Sequence, residues 1–293
     1  MLITNEIKKK IVVAMLQARK NFDSDAKHAR ALEINAAQYT RIKNGEMDKI
    51  LSDMKWISLA RKMAVTIGSD IAWATAKTPV FEYISLQLSV CQADSTTGIF
   101  VDKADIGKTH TAKLYVRSNR NAVYVDCSLV KSKQKLVRFI AKEFGLDSYG
   151  KYTEVFEDLT FYLKSIDCPL VILDEAGDLD YAAWLELKAL WNATENHCGW
   201  YMMGADGLRA KIDRGISNKK VGFTEIFSRY GARYNHVTPN GTEERRQFEY
   251  DQASLIVRAN LPGHSADINK IITKADGSLR RIRKEISKLK KAS

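Results

Sequence analysis

Two short blocks of this sequence have residue types and spacing suited to chemistry. The first, Asp105-Ile106-Gly107-Lys108-Thr109-His110, follows the short apolar run Gly98–Val101 and precedes a helical stretch through Val116. A strand, a loop carrying Gly-Lys-Thr and then a helix is the order a phosphate-binding loop needs. The first N–H groups of the helix face phosphate oxygens, Lys108 reaches the β and γ positions, and the Thr109 hydroxyl holds Mg²⁺. Asp105 to His110 are therefore the expected nucleotide contacts. The second block, Leu170-Val-Ile-Leu-Asp174-Glu175, is an apolar run ending in adjacent carboxylates. Asp174 at a strand end would complete the Mg²⁺ shell through water, and Glu175 would orient and polarise an attacking water. Two acids after a buried strand are also ordinary surface residues, but the order of the two blocks favours ATP and Mg²⁺ chemistry.

Such blocks work only if a scaffold holds them together. Short β-rich runs at Gly98–Val101, Ala122–Cys127, Leu170–Leu173, Trp200–Met203 and Ala232–Val237 alternate with helical stretches, which indicates an α/β fold with a parallel sheet flanked by helices. The expected organisation is an all-α helix-turn-helix unit over 1–75, a nucleotide-binding core over 76–240, and a helical lid over 241–293. Within the first unit, Asp25–Leu32 reads as a short helix and Glu33-Ile34 as a turn, with Asn35 as N-cap of a second helix that ends at Asn44-Gly45. Ala29 supplies the small residue at the crossing. Glu33 stands where such turns usually carry glycine, and a non-glycine residue at positive φ costs ~1 kcal/mol or more. If this second helix docks in the major groove, Gln38, Thr40, Arg41 and Lys43 face the DNA; a plain three-helix bundle gives the same apolar pattern.

The 293 residues are enough for about two domains. The 46 Lys and Arg outnumber 35 Asp and Glu, giving a net charge of +11, which favours an anionic partner. The densest basic run, Leu279–Lys291, has Leu279, Ile282, Ile286 and Leu289 at helical spacing, an amphipathic basic helix. Lys131, Lys133 and Lys135, and separately Lys211, Arg214, Lys219 and Lys220, form further basic groups that would follow a DNA backbone; a solvated charged face explains either group as well. The apolar run Ile11–Leu16 is far shorter than the ~20 residues a membrane span requires. The cysteines Cys91, Cys127, Cys168 and Cys198 contain no CxxC pair and read as reduced core thiols. A cytoplasmic protein with no membrane segment and no secretory signal is expected.

The run from Phe100 onward resembles the AAA+ ATPases, and the chain as a whole is similar to the phage Mu B-like target-selection family, with TnsC and IstB as more distant relatives. Lys108 and Thr109 match Walker A, and Asp174 and Glu175 match Walker B. The strand ending Met202-Met203-Gly204-Ala205-Asp206 matches the sensor position, Thr224–Arg233 the arginine-bearing segment, and Gly277-Ser-Leu-Arg280 the GxxR sensor. The resemblance implies that Arg229, with Arg233 second, completes a neighbouring subunit's site in trans, and that Arg280 touches phosphate within its own subunit. It further implies a homo-oligomer, a ring or helical filament on double-stranded DNA, that selects a transposition target and delivers it to a transposase. Two departures stand out. Asp102 replaces the first Walker A glycine and adds like charge near the phosphates, weakening binding unless Lys103, Lys108 and Mg²⁺ compensate. Ala205 replaces the sensor asparagine, so hydrolysis should be slow. A helicase loader of the IstB/DnaC kind, and a sequence-specific helix-turn-helix regulator with an inert phosphate loop, are the alternative readings.

Overall fold

The structure, a computed structural model, describes residues 3–65, 67, 73–262 and 268–292. The chain begins with α1 (Asn5–Ala18), α2 (Asp25–Ala31), α3 (Ala36–Lys43) and α4 (Asp53–Lys62). Thr4, Ser24, Asn35 and Ser52 each cap one of these helices by accepting a hydrogen bond from its first turn, which satisfies a donor the helix itself leaves orphaned. Ile11, Met15, Tyr39, Ile42, Trp56 and Leu59 are fully buried between them, and Ala29 sits at the close approach. Glu33 adopts φ 57° in the turn between α2 and α3. Its carboxylate is gathered by Lys55 (3.6 Å), Lys62 (3.7 Å) and Lys142, so the strained residue also ties the turn to the rest of the chain.

Among the described residues the sheet has four parallel strands, β1 (Thr97–Val101), β2 (Ala122–Asp126), β3 (Leu170–Asp174) and β4 (Gly199–Gly204), in the order β1-β4-β3-β2. Side chains alternate across the pleat. Ile99, Val125, Val171, Leu173, Trp200 and Met202 face a layer formed by α7 (Lys133–Glu143), α8 (Tyr152–Ser165), α9 (Tyr181–Ala193), α10 (Asp206–Ser217) and α11 (Phe223–Arg229). Phe100, Leu170, Ile172, Tyr201 and Met203 face α5 (Pro79–Ala93) and α6 (Lys108–Ser118). Both faces being covered, the strands are mostly apolar, with Asp126 and Asp174 at the ends of β2 and β3. This is the expected α/β class.

The run Ala232–Val237 is not a strand. It makes one parallel bridge, Phe100 to Asn235, and the chain is then diverted because the N–H groups of Val237 and Thr238 donate to the Asp102 carboxylate, at 2.8 and 2.9 Å. Beyond it, α12 (Thr242–Asn260), α13 (Ile268–Ala275) and α14 (Leu279–Ala292) bury Val257, Ile271, Ile272, Ile282 and Ile286 against one another. Cys91, Cys127 and Cys198 are buried free thiols, whereas Cys168 is exposed, contrary to its reading as a core residue. No helix among the described residues is long and apolar enough to cross a membrane.

The leading helices are docked on the core beside α6. The Asn21 amide donates to the carbonyls of Val116 (3.1 Å) and Arg117 (3.4 Å) in the last turn of α6. Asp23 accepts from Arg120 (2.6 Å), Tyr162 (2.9 Å) and Lys27 (2.9 Å). Burial alone would raise the Asp23 carboxyl, but these three donors hold it down at about 2. Gly145 passes so near Lys27 that a Cβ there would lie 2.4 Å from the Lys27 carbonyl oxygen.

Candidate nucleotide site

Gly107, at φ 103°, makes the turn into α6, where a left-handed conformation suits glycine. The turn places Lys108 and Thr109 at the helix start, beside the end of β3. The Thr109 hydroxyl donates to Asp174 Oδ2 at 2.6 Å, and the Tyr124 hydroxyl donates to the same oxygen at 2.8 Å. Asp174 Oδ1 accepts from the Glu175 N–H at 3.1 Å, and Asp174 is only 1% exposed. A hydroxyl and a carboxylate converging on one point are the hard oxygen donors Mg²⁺ takes, with water and phosphate filling the remaining positions. No cluster of three or more His, Cys, Asp or Glu suited to a metal occurs among the described residues, so any ion held here relies on few protein ligands. Glu175 follows at φ 50°, ψ 40°, a strained conformation for a non-glycine residue. Burial, and next the Asp174 charge, push its carboxyl above the usual range.

Lys108 is buried and folds back onto its own loop, donating to the carbonyls of Asp102 (2.8 Å) and Lys103 (2.6 Å). Burial pulls its ammonium below the usual lysine range. An open cleft of about 900 Å³ lies in front of these groups, lined by Asp105, Ile106, Gly107, Lys108, Thr109, His110 and Glu175, and closed on one side by Arg280 and Arg283 of α14. Arg280 lies 3.5 Å from Asp105 Oδ1, and Asp105 Oδ2 also accepts from the Ser278 hydroxyl at 2.7 Å. The helical unit is thereby fastened to the phosphate loop. His110 Nε2 is 3.1 Å from the Thr75 hydroxyl.

The apolar slot beside this cleft has no local signal in the sequence. Trp73, Phe81, Ile106, Ile256 and Leu279 line an adjoining space of about 180 Å³, the kind of wall on which a flat base stacks. These residues come from four separate segments and share no motif. Trp73 could be found only by noticing an aromatic residue just before Thr75 and Pro79. Asn260 of α12 holds the segment in place: its amide accepts from Ala74 N (2.9 Å) and donates to Ala74 O (2.8 Å).

Several expectations change. Asp102 does not crowd the phosphates, because its carboxylate is turned away and bound by the N–H groups of Lys103, Val237 and Thr238. Lys103 pairs with Glu249 rather than pointing into the nucleotide cleft. Arg229 is half-buried and lines neither the nucleotide cleft nor its apolar slot: its guanidinium lies 4.7 Å from the Trp191 ring centre with Nη1 buried. Arg233 is exposed and lines a different cleft. Lys211 is removed from the DNA-facing group, since its ammonium caps the carbonyls of Gly177 (2.8 Å) and Leu179. Gln38 is removed as well. Its side chain completes a capping box with Asn35 and donates to Ile50 O at 3.1 Å. Thr40, Arg41 and Lys43 are exposed on α3, with Arg41 paired to Glu46 and Lys43 to Asp25. Lys135, Arg214, Lys219 and Lys220 are exposed, while Lys131 and Lys133 lie near Asp178 (3.5 Å) and Glu186 (3.6 Å). Ala205 brings no side-chain donor to the end of β4.

No curated protein matches the chain. Among solved structures, that of the Aeropyrum pernix Orc1 protein in complex with DNA is similar at 14% identity and a TM-score of 0.40, covering 75% of this chain and 78% of that one. At that level the likeness is silent about activity. The family model described as AAA domain matches residues 96–212, the stretch that holds the phosphate loop, the Asp174-Glu175 pair and all four strands. The matched stretch is less than half of the chain, and a helical unit flanks it on either side in sequence.

Proposed function

We propose that the chain is an ATP-dependent DNA-binding ATPase that assembles on double-stranded DNA as a ring or helical filament, selects a transposition target and delivers it to a transposase. One observation carries the coupling of ATP to DNA. The helix that opens at the nucleotide cleft with Lys108 and Thr109 is the helix whose last carbonyls accept from Asn21 of the leading helical unit. The same unit presents Thr40, Arg41 and Lys43 on an exposed helix face. Support for the transposition step is narrower: it rests on the order of the short motifs from Lys108 to Arg280.

Magnesium, when bound, would supply charge neutralisation at the triphosphate. Thr109 and Asp174 would hold it, and Lys108 would exchange its loop carbonyls for phosphate oxygens. Glu175, raised by burial, orients the attacking water. Arg280 sits at the rim and exchanges Asp105 for phosphate. Without a donor at Ala205, turnover is slow, which suits an assembly whose ATP-bound form persists.

Binding of labelled duplex with and without ATP tests the reading in the wild type, Lys108→Ala and Glu175→Gln. Lys108→Ala is expected to lose the ATP stimulation and Glu175→Gln to prolong the bound state. If both variants bind as the wild type does, indifferent to nucleotide, the chain is a regulator with an inert phosphate loop. Co-purification with a replicative helicase in place of a transposase would instead make it a helicase loader.

A further inference from the structure

Across the phosphate loop from the nucleotide cleft lies a second open cleft, of about 550 Å³. The loop contributes Lys103 to its lining, α10 contributes Asp206 and Arg209, the segment around the β1 bridge contributes Arg233 and His236, and the first turn of α12 contributes Arg245. Lys103 is paired with Glu249 and Asp206 adds one negative charge, so the excess positive charge rests on the three arginines. Arg245 donates to the neutral carbonyls of Pro239 (3.4 Å) and Asn240 (3.0 Å). Arg209 has one solvent-exposed partner, Asp213, at 3.6 Å, and its guanidinium covers the Tyr234 ring. Exposed pairs of this kind are worth about 0–1 kcal/mol and exchange readily for a phosphate. The Asp102 carboxylate also faces the cleft, but three backbone N–H groups already hold it.

The two clefts differ in what they can recognise. The nucleotide cleft adjoins an apolar slot that fits a base, whereas the second is lined by the polar ring of His236 and by Tyr234, whose ring is already covered by a guanidinium. A ligand there is recognised by its phosphates alone. We propose that the second cleft takes consecutive backbone phosphates of double-stranded DNA, and that Asp102 links its occupancy to the nucleotide cleft. The main-chain oxygen of Asp102 accepts from Lys108, while its carboxylate straps down the Val237-Thr238 wall of the second cleft. When Lys108 leaves that oxygen for a nucleotide phosphate, the same residue is freed to shift the wall. This inference deepens the DNA-binding reading above and rests on it.

The test compares the wild type, Arg209→Ala/Arg245→Ala and Arg209→Lys/Arg245→Lys, with ATP and Mg²⁺, by anisotropy of labelled duplex over a salt series. Binding of a fluorescent ATP analogue and ATP-driven self-association by sedimentation are measured alongside. The alanine pair is expected to make the slope of log K against log salt shallower by about 1.8, two phosphate contacts at ~0.9 each. The lysine pair is expected to restore it, and ATP binding and self-association should be unchanged in both. Asp102→Asn, with its thermal midpoint checked, is expected to bring the ratio of duplex affinities with and without ATP close to one. A wild type that binds duplex while the alanine pair shows the same slope overturns the inference alone. Loss of self-association with an unchanged slope also overturns it, and assigns the cleft to a neighbouring subunit's triphosphate. A wild type that does not bind duplex with ATP overturns the DNA-binding reading and this inference together.

Discussion

The nucleotide cleft and the exposed face of α3 both carry basic side chains, but on different physical terms. In the cleft, Asp174 and Lys108 are buried; Asp174 accepts from fixed groups on α6, on β2 and in its own turn, and Lys108 donates to two carbonyls of its loop. On α3, Arg41 and Lys43 stand in solvent with one ion pair apiece. Buried charges lean on their partners for stability and fix one geometry, while exposed charges exchange partners at almost no cost. Single substitutions should therefore have large effects in the first region and small, additive ones in the second.

The largest effect is expected from Asp174→Ala, which leaves Thr109, Tyr124 and the Glu175 N–H without their shared acceptor. Hydrogen bonds to a charged group are worth about 1.5–3 kcal/mol, so Mg²⁺-dependent nucleotide affinity should fall by a factor on the order of a hundred, as read by titration with a fluorescent analogue. An affinity reduced less than threefold would show that the buried cluster is not the grip.

A second effect of similar size comes from pH. His28 is fully buried, with Nδ1 2.7 Å from the Tyr39 hydroxyl, and burial lowers its pKa to about 4. The unfolded chain, at 6.5, binds the proton more readily. Stability is therefore complete above about 6.5 and is lost as pH falls toward 4, by roughly 3 kcal/mol. Chemical denaturation at pH 7 and pH 5 should show the loss, and His28→Gln should flatten it; an unchanged slope in that variant would assign the pH dependence elsewhere.

Asn260→Ala removes both bonds to Ala74. It is expected to cost about 1–3 kcal/mol in thermal unfolding and to weaken nucleotide binding by loosening Trp73. If unfolding shifts while nucleotide affinity holds, the Trp73 wall is not part of the site. The smallest effects belong to Arg41→Ala and Lys43→Ala, each about 1 kcal/mol or less in duplex affinity with no change in stability. A loss as large as that for Asp174→Ala would erase the distinction between the two regions.

Legibility in the sequence followed how local each signal was. The turn from Leu32 to Asn35, with its N-cap, could be read because helix caps involve neighbours three residues apart. The four strands were visible as continuous apolar runs. The joining of Thr109 to Asp174 was inferable because an apolar strand must end where the sheet ends. What stayed hidden depended on distant partners. Asp102 read as a liability beside phosphates, and only the fold brings Val237 and Thr238 to it. Lys211 looked like the other lysines of its run, yet it caps two carbonyls in the turn after β3. Arg229 and Arg233 are four residues apart and chemically alike, and the position of Trp191 separates them.

The eleven residues of α6 make a rod about 16 Å long. A hydrogen-bonded helix resists bending far more than it resists tilting, so a small displacement where Thr109 meets its ligand emerges at the opposite end as a sideways swing. Asn21 is fastened to that end. Under the proposed function, the leading helices ride on a lever whose short arm is the phosphate grip, and their orientation would be a mechanical readout of what that grip contains.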